Sequence, residues 1–276
     1  MKKILVVLDH AEESASVQAY AIDLAQKFKV ALSAIAVLDL PWLTAAQPEP
    51  LGGAGFKIKH DERMIRETRK QLDVLAQNFE NHAKAAKINY SVIYAEGFPS
   101  IEIEKAALTH DLMIIGRKTD LHFQVEDATD FLMRTIAQDN PRPIISIEDK
   151  AQVDGNVLIA YDDSIQASKA LHMFLLLGLG SGRKADILVM NESKKAATLI
   201  AERAKNMCEL YGMSVETHLV LSEHSPEDMI LKHSSDMKSS MIIMGAFGKN
   251  LLQKLIFGSC TQAVIKKSKI PVFIHH

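Results

Sequence analysis

Gly245-Ala246-Phe247-Gly248 and, after nine intervening residues, Gly258-Ser259 are spaced as Gly-x2-Gly-x9-Gly-Ser, and the chemistry such a run can do is hold phosphate. An anion can lie against backbone N–H groups where no Cβ intervenes and positive φ is permitted, which glycine alone supplies freely. If Ser259 opens a helix, the unpaired N–H groups and positive dipole of its first turn extend the cradle, and the hydroxyl adds a donor. Lys249 and Lys254 fall between the glycines, where they either neutralise phosphate charge or stand solvated on an exposed loop. A helix N-terminus lowers a thiol pKa, but the plainer reading of Cys260 is that it offers its backbone N–H while its side chain packs inward. No nucleophile with a base and an orienting partner is discernible. Efficient catalysis is therefore not expected, and slow hydrolysis of a bound nucleotide stays open. The eleven histidines show no tight ligand spacing. His275-His276 and His110-Asp111 could contact a metal, surface or strand-end positions are the simpler reading, and no metal ligand is assigned.

A phosphate loop works only if a strand delivers it and a helix follows it, and the flanking sequence has that form. Met241-Ile242-Ile243-Met244 is a continuous apolar run of the kind a doubly covered parallel strand needs. The same landmarks occur twice. Ile4-Leu5-Val6-Val7-Leu8-Asp9 matches Val157-Leu158-Ile159-Ala160-Tyr161-Asp162, Leu112-Met113-Ile114-Ile115-Gly116 matches Met241-Ile242-Ile243-Met244-Gly245, and Pro143-Ile144-Ile145 matches Pro271-Val272-Phe273. Landmarks repeated in one order indicate a duplicated domain. The spacing predicts strands near 3–8, 31–38, 89–95, 112–116 and 143–147 and helices near 13–28, 60–87, 99–109 and 126–138. In the second copy it predicts strands near 156–161, 185–190, 215–221, 241–245 and 271–275 and helices near 165–178, 193–211, 226–237 and 259–267. Such β-α alternation means an α/β fold with parallel sheet and right-handed crossovers. The two domains are expected at 1–149 and 150–276, joined by a polar linker from Glu148 to Gly155. Residues 41–57, with three prolines, several glycines and Trp42, read as a loop or lid, or as a plain surface loop.

With these motifs in place, the chain resembles the universal stress protein family, whose nucleotide-binding members carry the same Gly-x2-Gly-x9-Gly-(Ser/Thr) run. The likeness is strong in 155–276 and rests on topology and landmarks in 1–149. It implies two Rossmann-like domains, each a five-stranded parallel sheet in 3-2-1-4-5 order with helices on both faces, and ATP with Mg2+ over the switch between the first and fourth strands. By position, Asp162 would hold the ribose or adenine and Met190 would present backbone to the adenine. Gly245, Gly248, Gly258, Ser259, Cys260 and Thr261 would hold the phosphates and the Mg2+ side. Asp163 departs from the family, which often has Gly there. The first half departs further: after Gly116 it has Arg117-Lys118-Thr119-Asp120 and no glycine before Gly155. Asp9 alone is little on which to build a site, so altered or vestigial binding is expected there. The family pairs its fifth strands between subunits of a homodimer, which implies that residues 143–147 and 271–274 pair within this chain, with a further homodimer open.

Composition narrows the partners. The chain has 276 residues, 47% of them hydrophobic, and a formal net charge of −2, which gives no electrostatic case for nucleic acid or an anionic membrane surface. Asp9 interrupts the apolar start before it could serve as a signal core. Two cysteines are too few for a disulfide framework and fit a reducing cytoplasm. The expectation is a cytoplasmic ATP-binding stress protein that acts through nucleotide-dependent regulation or partner binding. The alternatives are a binding module for another small ligand or metal, and an adenylyl-transferring enzyme. The Ser-Gly-Gly-x-Asp-Ser and His-Ile-Gly-His signatures of the last class are absent from the sequence.

Overall fold

The computed structural model describes residues 1–10, 14–45, 54–119, 121, 140–148, 151–221, 225–246 and 259–276. The expected helix near 126–138 lies outside them, as do Gly248, Gly258, Lys249 and Lys254.

In the first half the strands are β1 (Lys3–Val7), β2 (Ala31–Leu38), β3 (Tyr90–Glu96), β4 (Leu112–Gly116) and β5 (Ile144–Ile147). In the second they are β6 (Val157–Ala160), β7 (Lys184–Met190), β8 (Ser214–Val220), β9 (Met241–Gly245) and β10 (Val272–His275). All belong to one ten-stranded sheet in the order β3-β2-β1-β4-β5-β10-β9-β6-β7-β8. Each half therefore has the expected 3-2-1-4-5 order and is parallel within itself. At the seam β10 runs antiparallel to β5, with Val272 opposite Ser146, Phe273 opposite Ile145 and Ile274 opposite Ile144.

Both faces of the inner strands are covered, which is why they are largely apolar rather than alternating, whereas the edge strands β3 and β8 are only partly buried. Side chains still alternate in direction along each strand. Ile4, Val6 and Leu8 enter one core with Val157, Ile159 and Phe273. Leu5 and Val7 enter the other with Leu158, Ile242, Val272 and Ile274. The first core takes residues of α1 (Ser14–Phe28), α3 (Ala54–Ala85), α5 (Ile165–Leu176) and α6 (Lys194–Leu210). The second takes residues of α4 (Pro99–Ala107), α7 (Pro226–Asp236) and α8 (Ser259–Lys267). Each core runs through both halves. Serine side chains cap α5 and α6, where Ser164 accepts from the Ala167 N–H and Ser193 from the Ala196 N–H, satisfying donors that a helix start leaves open.

The expected loop at 41–57 is partly helical. Asp39 caps the short α2 (Leu40–Leu43) by accepting the Trp42 N–H at 3.0 Å, and Pro41 fits a first turn, where its missing N–H is not needed. The long helix α3 starts at Ala54 rather than near 60. A glycine in a helix costs about 1 kcal/mol, which argues against helix at Gly55. Burial of Leu72, Ala76, Phe79 and Ala83 along one stripe of α3 outweighs that local preference.

Phe273 is fully buried at the seam and meets the Phe174 ring edge-on, with centroids 5.5 Å apart. Phe273→Ala should therefore lower stability by about 3–5 kcal/mol, read by urea denaturation. A loss below about 1 kcal/mol would contradict the close packing of Phe273 at the seam.

Candidate functional site

In the second half the chain switches direction between β6 and β9, and those of the residues singled out by sequence that are described lie at that carboxyl-terminal edge. Asp162 follows β6 by one residue after Tyr161, Met190 ends β7, and Gly245 ends β9. Ser259, Cys260 and Thr261 form the first turn of α8. The edge thus has a strand-end carboxylate, a strand-end backbone and a helix N-terminus, whose first N–H groups have no partner within the helix itself.

Local bonding fixes several of these groups. Asp162 Oδ1 accepts the Ser164 N–H at 3.1 Å, a short side-chain turn that leads into the Ser164 cap of α5. Asp163 lies between them at φ 62°, a left-handed conformation that glycine takes most readily and that Asp tolerates. Its carboxylate is held by Arg203 at 2.6 Å, so the charge that departs from the family pattern is paired and turned to α6. Thr261 is buried, and its Oγ1 donates to the Gly245 carbonyl at 3.3 Å. This hydroxyl ties the first turn of α8 to the end of β9. Ser259 is exposed.

Gly245 has a packing reason that sequence did not show. A Cβ there would stand 2.5 Å from the Ala167 nitrogen and 2.6 Å from the Gln166 carbonyl carbon, so only glycine lets α5 come this close to β9. Cys260 packs against the second core. Burial pushes its thiol up to about 11, with Glu227 and Asp162 adding in the same direction. The inward-packing reading of Cys260 is the one the structure matches.

At the corresponding edge of the first half, Gly116 ends β4 and Asp9 is buried. Arg117 stands where the second half has Ala246, since the Arg117 N–H donates to Ile147 as the Ala246 N–H does to His275. The Arg117 side chain is buried and turns to the seam. It donates to Glu148 Oε2 at 2.8 Å and to the carbonyls of Ser268 and Ile270, just past the end of α8. A guanidinium at that place also complements the negative end of the helix.

The histidines divide. His110 is buried and its Nδ1 bonds the Ala106 carbonyl at 2.7 Å, which requires the proton on Nδ1. His275 and His276 line a groove of about 310 Å³ with Ser168, Lys169, His172 and Met173. Burial lowers the His275 pKa to about 4, helped by His276, Lys169 and Arg142. A cluster that sequence missed lies on β7 and β8, where Asp186, Glu216 and His218 bring one donor atom each within 4.8 Å of one another. A carboxylate inside the apolar run Ala185-Asp186-Ile187-Leu188 was the available signal. Among the described residues, no helix is long and apolar enough to cross a membrane.

Comparison with known proteins gives concordant results. A model of the universal stress protein family matches residues 1–124 and 155–276. Universal stress protein Slr1230 of Synechocystis sp. is 23% identical over 286 residues, an alignment that covers 99% of each chain. Universal stress protein MJ0577 of Methanocaldococcus jannaschii is 33% identical over 122 residues, which are 43% of this chain and 74% of that one. The crystal structure of a universal stress protein from Archaeoglobus fulgidus DSM 4304 superposes with a TM-score of 0.75 at 21% identity, covering 99% of this chain and 95% of that one. That last likeness speaks for the fold.

Two outcomes follow from the site's geometry. Gly245→Ala should destabilise the chain by about 1–3 kcal/mol in urea, because the added methyl meets backbone rather than a movable side chain, and a change under about 0.5 kcal/mol would contradict the close approach of α5. At pH 8, iodoacetamide should modify Cys260 in the folded chain at least about tenfold more slowly than an exposed thiol, since the thiolate is the reactive form. Peptide mass spectrometry over time reads this, and a rate equal to that of an unhindered thiol would contradict the burial.

Proposed function

The chain belongs to the universal stress protein family, and from that premise we propose that it is a stress-response protein whose second half binds one ATP with Mg2+, acting through nucleotide-dependent conformation or partner binding. The observation that carries this reading is the convergence of Asp162, Met190, Gly245 and the start of α8 at one switch-point edge. Open α/β sheets bind ligands in the crevice at such points.

The residues present fit a nucleotide in specific ways. Asp162 commits one carboxylate oxygen to Ser164, and its other oxygen would meet a ribose hydroxyl or the adenine. Met190, at the end of its strand, offers backbone to the base. Gly245, Gly248, Gly258, Ser259 and the Cys260 N–H would hold the phosphates with their Mg2+. Thr261, whose hydroxyl bonds the Gly245 carbonyl, would position α8 rather than touch phosphate. ATP brings its own negative charge and bound metal, so the protein's part is to supply backbone donors and a positive helix end.

In the same reading the first half, taken as 1–149, is a degenerate copy, and 150–276 is the nucleotide-binding one. Arg117 occupies the start of the corresponding loop and is engaged at the seam with Glu148, Ser268 and Ile270. Pairing of β5 with β10 uses within one chain the edges that the resemblance assigns to a homodimer contact. A cytoplasmic location fits two unpaired cysteines.

Calorimetric titration of the full chain with MgATP should give one site. Gly248→Val or Gly258→Val should weaken binding at least about tenfold, because a branched side chain fills space that backbone-bound phosphate needs. Gly116→Ala should leave affinity within about twofold. Two equivalent sites per chain, or undiminished affinity after both valine changes, would overturn the assignment.

A further inference from the structure

We propose that Asp186, Glu216 and His218 form a binding site for a divalent cation of the zinc class, separate from the nucleotide edge. In a parallel sheet, residues in register and residues two apart on one strand share a face. Asp186 of β7 is in register with Glu216 of β8, and His218 is two residues beyond Glu216. Topology alone therefore places two carboxylates and an imidazole side by side.

The side chains complete the arrangement. His218 Nε2 and Asp186 Oδ1 are 3.0 Å apart, and a Glu216 oxygen lies within 4.8 Å of both. A tetrahedral zinc ion with bonds of about 2.0–2.1 Å needs its donors about 3.3 Å apart. Asp186 and His218 are already near that spacing. Glu216, whose side chain is 60% exposed, can close the remainder by rotating. Asp186 is 4% exposed, and a buried carboxylate calls for a cation or a strong donor beside it. His218 fills that place at present, and an ion bound between them would fill it while leaving an open position for water. Lys184 pairs with Glu216 at 2.8 Å, with side chains 38% and 60% exposed, and pairs open to solvent in this way are weak and readily exchanged.

The duplicated fold supplies an internal control. Val157 is in register with Ala185 and Met241, as Ile4 is with Leu32 and Leu112. Asp186 therefore corresponds to Ser33, and Glu216 and His218 to Ser91 and Ile93. In the first half that place is filled by the Ser33 and Ser91 hydroxyls, 3.0 Å apart. The sheet is thus built with two neutral hydroxyls there, so a triad of two carboxylates and an imidazole is not a demand of the fold. The triad also lies toward the start of β7, whereas Met190 marks the opposite end, so a cation here is not the one that would accompany a nucleotide. Bound there, it would cross-link edge strand β8 to β7.

The test is a titration of the chelator-treated full chain with zinc chloride, read against a colorimetric zinc chelator, with native mass spectrometry for stoichiometry and a thermal melt. One zinc per chain is expected with a Kd of about 10 µM or tighter, together with a rise in Tm. His218→Gln and Glu216→Gln, both at partly exposed positions that folding should tolerate, are each expected to weaken binding at least about tenfold and remove the Tm rise. Asp186→Asn should act likewise, and the double change His275→Gln with His276→Gln should leave binding unaltered. Absence of zinc binding below about 100 µM, or binding that survives His218→Gln and Glu216→Gln while the His275 and His276 changes abolish it, would overturn the proposal.

Discussion

The backbone hydrogen bonds between β5 and β10 turn two sheets into one. A parallel sheet of the 3-2-1-4-5 type ends in a short apolar strand whose outer N–H and C=O groups must find partners, and an uncovered edge of that kind invites association. Here each half covers the other's edge. Because the pairing is antiparallel, the strands of the second half run opposite to those of the first, and the carboxyl-terminal edges of the two halves face opposite sides of the sheet. The two ligand-binding edges that the duplication could have made consequently lie at opposite ends of the sheet.

The same seam accounts for how the halves have diverged. Arg117 and Ala246 hold equivalent places after β4 and β9, yet one is a guanidinium drawn into Glu148, Ser268 and Ile270 and the other a buried methyl. The position that in the proposed reading leads into a phosphate loop in the second half is a clasp in the first. A residue cannot do both, since a side chain buried across the seam is not available to line a loop open to ligand. In the second half the corresponding strain and charge are managed locally: Asp163 takes a left-handed turn and is paired by Arg203, and Gly245 yields its side-chain space to the first turn of α5.

Much of this was legible in the sequence because buried parallel strands read as unbroken apolar runs, and because those runs recur with the same closing Asp and Gly. The α/β class and the duplication follow from that repeat, while the 3-2-1-4-5 order and the roles of Asp162 and Met190 are what the family resemblance implies. What escaped the sequence depended on contacts between distant residues. The clasp joins Arg117 to a residue 151 positions away, and the Asp186–His218 pair becomes visible only once the register of β7 and β8 is known. The sequence pattern offers Gly245 as a phosphate glycine, and the structure gives a packing reason that suffices by itself in the approach of Ala167 and Gln166. The start of α3 was misplaced since local glycine content spoke for a loop while a buried stripe farther along the helix decided otherwise.

The central claim, that the two halves share a fold and only the second takes the nucleotide, is tested most directly by hydrogen–deuterium exchange of the full chain with and without MgATP. Protection confined to peptides around 160–166, 188–191 and 241–265, with those around 8–16 and 113–121 unchanged, is the result this account predicts. Equal protection of both sets, or protection of the first set alone, would contradict it.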